Sequence, residues 1–175
     1  MEQNREKIME ELAKSYYDFL MKLPFDDELY MKGISEGKRK FLTNSHIFLA
    51  TRKLPKKNKL YSTDFITPSA LEKIRNNPLK GLELEYEHII PKGKYIHEIC
   101  EKKAMNKTLS IEFIKDLLIR YLWTATVTKL EHDILKEIPF DWDGDNIKIR
   151  YSNAGITLLP HNVSYLNSLN KIGIL

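Results

Sequence analysis

An acid and an imidazole stand side by side at Glu87-His88, just ahead of Ile89-Ile90-Pro91. A carboxylate suits a hard divalent cation, and an imidazole that is neutral near pH 7 can take a proton from water, so the pair has the parts for metal-assisted hydrolysis. Adjacent side chains on a strand point to opposite faces. Both residues therefore serve one site only if the chain bends there, and Pro91 favours a bend.

The elements that must position this pair follow from local patterns. Leu82 to Pro91 alternates apolar and polar residues, the period of a half-buried strand, and brings Glu87 and His88 to its end. Trp123-Thr-Ala-Thr-Val-Thr is rich in β-branched residues and reads as a second strand. Thr128-Lys-Leu-Glu131 has the capping-box spacing, in which hydroxyl and carboxylate satisfy amides exposed at a helix start, so a helix runs from Thr128 to about Ile138, before Pro139. Capping alone accounts for Glu131.

Upstream, Ile8, Leu12, Tyr16, Phe19, Leu20 and Leu23 recur at helical spacing across residues 5 to 23, ahead of Pro24. This is a packing helix; a homodimer or protein-partner surface is the other use of such a face. His46 to Ala50 is too short for periodicity to decide between helix and strand. Thr67-Pro68 caps a helix closed by Asn76-Asn77-Pro78, and Ser110 caps another reaching Leu122. Ile147 to Tyr151 and Gly155 to Leu159 are short strand candidates. The acidic loop Asp141, Asp143, Asp145 lacks the remaining ligands of a calcium loop, and His97 reads as structural.

Composition bounds the class. The chain has 175 residues, 42% hydrophobic and 30% charged, with seven Gly and seven Pro, the profile of a globular protein. Its one cysteine, Cys100, cannot form an internal disulfide or a cysteine-based zinc site, and no apolar run is long enough to span a membrane. A cytoplasmic protein with no membrane partner is expected. Between Lys38 and Leu60 lie eight basic residues, Lys56 and Lys57 among them, and no acidic one, which leaves the rest of the chain net negative by about four. Such a block is either a solvated face or a phosphate-binding surface. Arg150, beside Tyr151, could grip a phosphate or bridge to a carboxylate of its own domain. No nucleophile elbow, phosphate-binding Gly-rich loop or dinucleotide fingerprint is present.

Glu87-His88-Ile-Ile-Pro, with the strand at Trp123 to Thr128 and Lys-Leu-Glu131-His132-Asp133 after it, resembles the HNH, or ββα-metal, nuclease family over about fifty residues. The resemblance implies that His88 is the general base, Glu87 a metal ligand, and Glu131 or His132 the ligand from the helix. Lys92 and Lys94 would then lie where a scissile phosphate approaches. A second closure is similar to the family's closing half: Asn153-Ala-Gly-Ile-Thr-Leu-Leu-Pro-His161-Asn162, with His161 or Asn162 on the ion. The first closure is preferred because its capping box makes the helix start explicit.

The expectation is an α+β fold, mainly helical, with a small antiparallel sheet and a ββα-metal-like element. A helical and basic region would span residues 1–80 and a nuclease-like region 81–175. The expected function is metal-dependent hydrolysis of phosphodiester bonds in DNA or RNA, with magnesium or manganese favoured by oxygen ligands and zinc acceptable to two imidazoles. The alternative is a non-catalytic factor that binds nucleic acid or another protein.

Overall fold

The computed structural model describes residues 2–76, 83–140 and 144–166. Pro78, Leu82, Asp141 and Asp143 lie outside them. The elements run α1 (Glu2–Leu20), α2 (Glu28–Gly33), α3 (Ser35–Thr51), a 3-10 turn (Lys59–Tyr61), β1 (Phe65–Ile66), α4 (Pro68–Asn76), β2 (Leu84–His88), a π-helical turn (Gly93–His97), α5 (Glu98–Met105), α6 (Ile111–Tyr121), β3 (Thr124–Thr128), α7 (Lys129–Glu137), α8 (Ile149–Asn153) and β4 (Leu159–Pro160). The fold is α+β and mainly helical. Among the described residues, no helix is long and apolar enough to cross a membrane.

Two compact units divide the chain, Met1–Ala50 with Ile90–Leu122, and Thr51–Ile89 with Trp123–Leu175. The division does not fall at residue 80, because the segment between β2 and β3 folds with the N-terminal helices. In this helical unit the apolar stripe of α1 (Met9, Leu12, Ala13, Tyr16, Leu20) is buried with Leu42, Ile96, Cys100, Ile114 and Leu118. Arg5 donates to the carbonyls of Ile119 (3.3 Å) and Leu122 (3.0 Å), satisfying acceptors that the end of α6 leaves without helical partners. At the other end of α6, the Ser110 hydroxyl accepts from Phe113 N. The segment at His46, left open by periodicity, is helical.

The second unit is built on a four-stranded sheet in the order β2-β3-β1-β4. β2 pairs antiparallel with β3, and β1 with β4, but β1 and β3 run parallel. The sheet is thus mixed. Every residue of β3 is buried, as expected of a β-branched central strand covered on both faces. Leu84 and Ile66 project to a core with Ala70 and Ile74 of α4, Leu60, Tyr61 and Leu166. Where the chain leaves for the helical unit and returns, Ile89 N donates to Trp123 O (2.9 Å), so the two ends of the excursion are pinned together.

One expected strand is a helix. Ile147 to Tyr151 gives way to α8, whose C-terminus is closed by Gly155 at φ 68°. Ile156 N donates to Tyr151 O (2.9 Å) and Gly155 N to Ser152 O (3.0 Å), the two bonds of a Schellman closure. Of the Gly155 to Leu159 candidate, only Leu159 enters a strand, the two-residue edge strand β4.

Candidate functional site

Strand β2 stays in register through its last residue: Glu87 pairs with Ala125 and His88 with Thr124. The expected bend comes only at Ile89-Ile90, too late to bring the two side chains together. Alternation therefore sends Leu84, Tyr86 and His88 to the α4 side and Glu85 and Glu87 to the other. His88 lies edge-on to the Tyr86 ring, with centroids 5.2 Å apart. A site shared by Glu87 and His88 is not formed, because regular pairing persists where a kink was needed.

The structure brings Glu87 to a different imidazole. The capping box forms as expected: Thr128 Oγ1 accepts from Glu131 N (3.2 Å), and Thr128 N donates to Glu131 Oε2 (2.8 Å). That box sets the start of α7 and hence its phase over the sheet, and His132 Nδ1 is hydrogen-bonded to Glu87 Oε1. The two side chains retain 25% and 16% exposure for His132 and Glu87 respectively, so the pair is sheltered without being sealed. Burial raises the Glu87 carboxyl above its ordinary range, against the opposing pull of His132 and Arg150.

Arg150, on α8, caps the far end of α7 by donating from Nη2 to Leu135 O. Its Nε is buried without a hydrogen-bond partner among the described residues. The neighbouring Tyr151 is fully buried, and its hydroxyl is pushed upward by burial first and by Glu87 second. Glu87, His132 and Arg150 thus form a carboxylate, an imidazole and a guanidinium from β2, α7 and α8.

Glu131 is spent on structure. Its Oε2 accepts from Thr67 Oγ1 (2.7 Å) as well as from both groups of Thr128, tying the entrance of α4 to that of α7. The second closure does not form either. His161 is buried with Nδ1 against Thr63 Oγ1 (2.8 Å) and Nε2 against Tyr165 Oη (3.0 Å), so both ring nitrogens are occupied. Asn162 Oδ1 accepts from Ser164 N, and Asn153 is an exposed residue at the end of α8.

A divalent ion was expected here, and the donors brought together are too few for a zinc site. Glu87 and His132 supply two donors, while among the described residues no group of three or more His, Cys, Asp or Glu side chains could hold a metal. A catalytic zinc needs about three protein ligands with an open position, whereas magnesium is held through one or two carboxylates together with substrate phosphates, for which Glu87 would be the protein ligand.

The lysines divide between the units. Lys92 belongs to the helical unit, where its ammonium donates to Arg39 O (3.0 Å) and to Thr43 Oγ1, and burial lowers its pKa to about 8. Lys94 is exposed in that same unit, over the Tyr95 ring. Lys57 is exposed and Lys56 half-buried in the segment that follows α3, in the sheet unit.

Two features of the site escape local reading. Arg150 has its place because α8 is a helix, and the signal for that helix was Asn153-Ala-Gly155, a helix end written in sequence. Thr67 as a partner of Glu131 carries no sequence signal, since 64 residues separate them. Comparison of the chain with family models, curated proteins and solved structures gives no match.

Proposed function

We propose that the chain hydrolyses phosphodiester bonds of DNA or RNA, with His132 rather than His88 as the general base. The observation that carries this reading is the Glu87 to His132 hydrogen bond, which joins an acid and an imidazole 45 residues apart in a partly open position. With Glu87 ionised, Nδ1 of His132 holds the proton and donates to the carboxylate, which leaves the Nε2 lone pair to accept a proton from water. Arg150 supplies positive charge near Glu87, suited to the charge that builds on phosphate, while its Nη2 stays on Leu135 O. None of these steps passes through an ion.

The test is cleavage of single- and double-stranded DNA and RNA, with chelator and with added magnesium, manganese or zinc, by the wild-type chain and by Glu87→Gln, His132→Ala and His88→Ala. Cleavage lost in the first two and kept in the third supports the reading. Absence of cutting under every condition, or cutting undiminished in His132→Ala, overturns it.

A second reading rests on a separate observation. Lys53, Lys57 and Lys59 are exposed within a segment that has no acidic residue, which supports binding of phosphate at that surface without chemistry. Binding that survives His132→Ala and is lost on charge reversal at Lys56 and Lys57, with no cutting by the wild type, is its signature.

A further inference from the structure

The sheet face that carries Glu87 also carries two aromatic rings and a cation that the hydrolytic reading leaves unused. Glu87 and Phe65 share Ala125 as their register partner, from opposite sides of β3, so the three residues form one cross-strand row with Ala125 buried in the middle. At the strand spacing of about 4.8 Å, the backbones at Glu87 and Phe65 are about 10 Å apart. Phe65 lies against Trp123, with centroids 5.7 Å apart and planes tilted by 40°. Lys148 Nζ sits 4.5 Å from the Phe65 ring centroid. Both rings and the lysine are half-buried.

We infer that Phe65 and Trp123 form a stacking platform for the bases of a single-stranded nucleic acid, with Lys148 taking a phosphate of the same segment. Resting on the hydrolytic reading, this names the substrate as unpaired. The physical case is the combination of parts. Aromatic side chains on a sheet bind any base through its flat face, whereas a duplex keeps those faces stacked on one another. Lys148, whose ammonium lies over the Phe65 ring, supplies the charge that a base-stacking surface needs for the backbone and would move from the ring to a phosphate as a base takes its place. The acidic groups of this face, Glu85 and Glu87, lie on β2 at the edge of the sheet, across β3 from Phe65. Base and phosphate thus have distinct places: bases at the half-buried rings of Phe65 and Trp123, backbone toward Lys148.

The experiment uses the full chain carrying Glu87→Gln, so that cutting is slow on the timescale of binding, with Trp142→Phe so that Trp123 is the remaining tryptophan. Three probes are titrated: a deoxythymidine oligonucleotide, an abasic oligonucleotide of equal length, and a duplex. Expected is quenching of Trp123 by the base-bearing single strand, with at least tenfold weaker binding of the abasic strand and the duplex. Phe65→Leu and Trp123→Leu, checked for folding by circular dichroism and titrated by fluorescence anisotropy of dye-labelled strands, should each weaken the base-bearing strand by roughly five- to a hundredfold and leave the abasic strand unchanged. Abasic and base-bearing strands bound alike, by wild-type rings, overturn the platform without any variant. Base-dependent binding with no cutting by the unmutated chain would leave the platform standing and remove the hydrolytic reading. Cutting with base-independent binding would do the opposite.

Discussion

His132 Nδ1 and Glu87 Oε1 are joined by a hydrogen bond that spans 45 residues and links α7 to β2. His88, the immediate neighbour of Glu87, faces the other side of the sheet. The two histidines should therefore differ sharply. Loss of a positioned general base costs about 10²- to 10⁴-fold, so His132→Ala should lower the rate of nucleic-acid cleavage by that factor, and His88→Ala by less than about tenfold, the residual attributable to packing against Tyr86. Glu87→Gln should fall close to His132→Ala, because an amide at that position neither fixes the imidazole tautomer nor supports its positive charge. Single-turnover rates of the three variants decide the order.

The cleavage rate should also depend on pH in a definite direction. Burial holds the Glu87 carboxyl above its ordinary range of about 4.5, and the ionised form is the one that leaves Nε2 of His132 free to act as base. Activity should thus fall as pH drops, beginning above the ordinary carboxylate range. In Glu87→Gln the limb of the remaining low activity should shift, because the carboxylate that titrates together with His132 is gone. A rate profile of the wild type that is flat down to the ordinary carboxylate range would show that Glu87 takes no part.

What could be read from residue types was mostly local. Ser110, Thr67-Pro68 and the Thr128 to Glu131 capping box announce helix starts through bonds made within four residues, and the structure has α6, α4 and α7 there. Thr124 to Thr128 announces a strand because β-branched side chains fit a pleated, covered surface. Both partners of the central hydrogen bond, Glu87 and His132, stand out as chemistry-bearing residues, but their pairing does not. Which imidazole Glu87 meets depends on whether β2 bends at His88, and that is settled by continued pairing with β3 through Thr124. β1 has two residues and hence no period, so its parallel pairing with β3, and with it the place of Phe65, is decided only by long-range packing. The division of the chain into two discontinuous units is hidden for the same reason: burial of α5 and α6 against α1 is a contact between distant segments.

Glu131 offers a direct contrast between ligand and cap. Its carboxylate accepts from Thr67 Oγ1, Thr128 N and Thr128 Oγ1, and removing such bonds costs about 1 to 2 kcal/mol in total after exchange with water. Glu131→Gln should therefore lower the urea midpoint by a corresponding amount while leaving cleavage within a few-fold of wild type at temperatures where the variant is folded. Thr128→Ala should cost about 1 kcal/mol as the loss of an N-cap. A Glu131→Gln protein of unchanged stability and abolished activity would instead mark the residue as part of the reacting centre.

Stability should fall on mild acidification, for reasons separate from the reaction. His97, hydrogen-bonded through Nδ1 to the Tyr16 hydroxyl at 2.7 Å, has its pKa lowered to about 4 by burial and then by Lys92 and Lys38. Burial likewise lowers His161, held by Thr63 and Tyr165, to about 4. In the unfolded chain both titrate near 6.5. A group whose folded pKa is depressed contributes its stability fully above the unfolded value and loses it as pH falls toward the folded one, so the window is pH 6.5 to 4. Each histidine is worth at most about 3 kcal/mol across that window, from the shift multiplied by 1.36 kcal/mol per pH unit. Because the two histidines lie in different units, His97→Gln and His161→Gln should each flatten only part of the pH dependence, and the double variant should remove most of it. Urea midpoints followed by circular dichroism at pH 7, 6, 5 and 4 measure this. A double variant as acid-sensitive as the wild type would assign the loss to other groups.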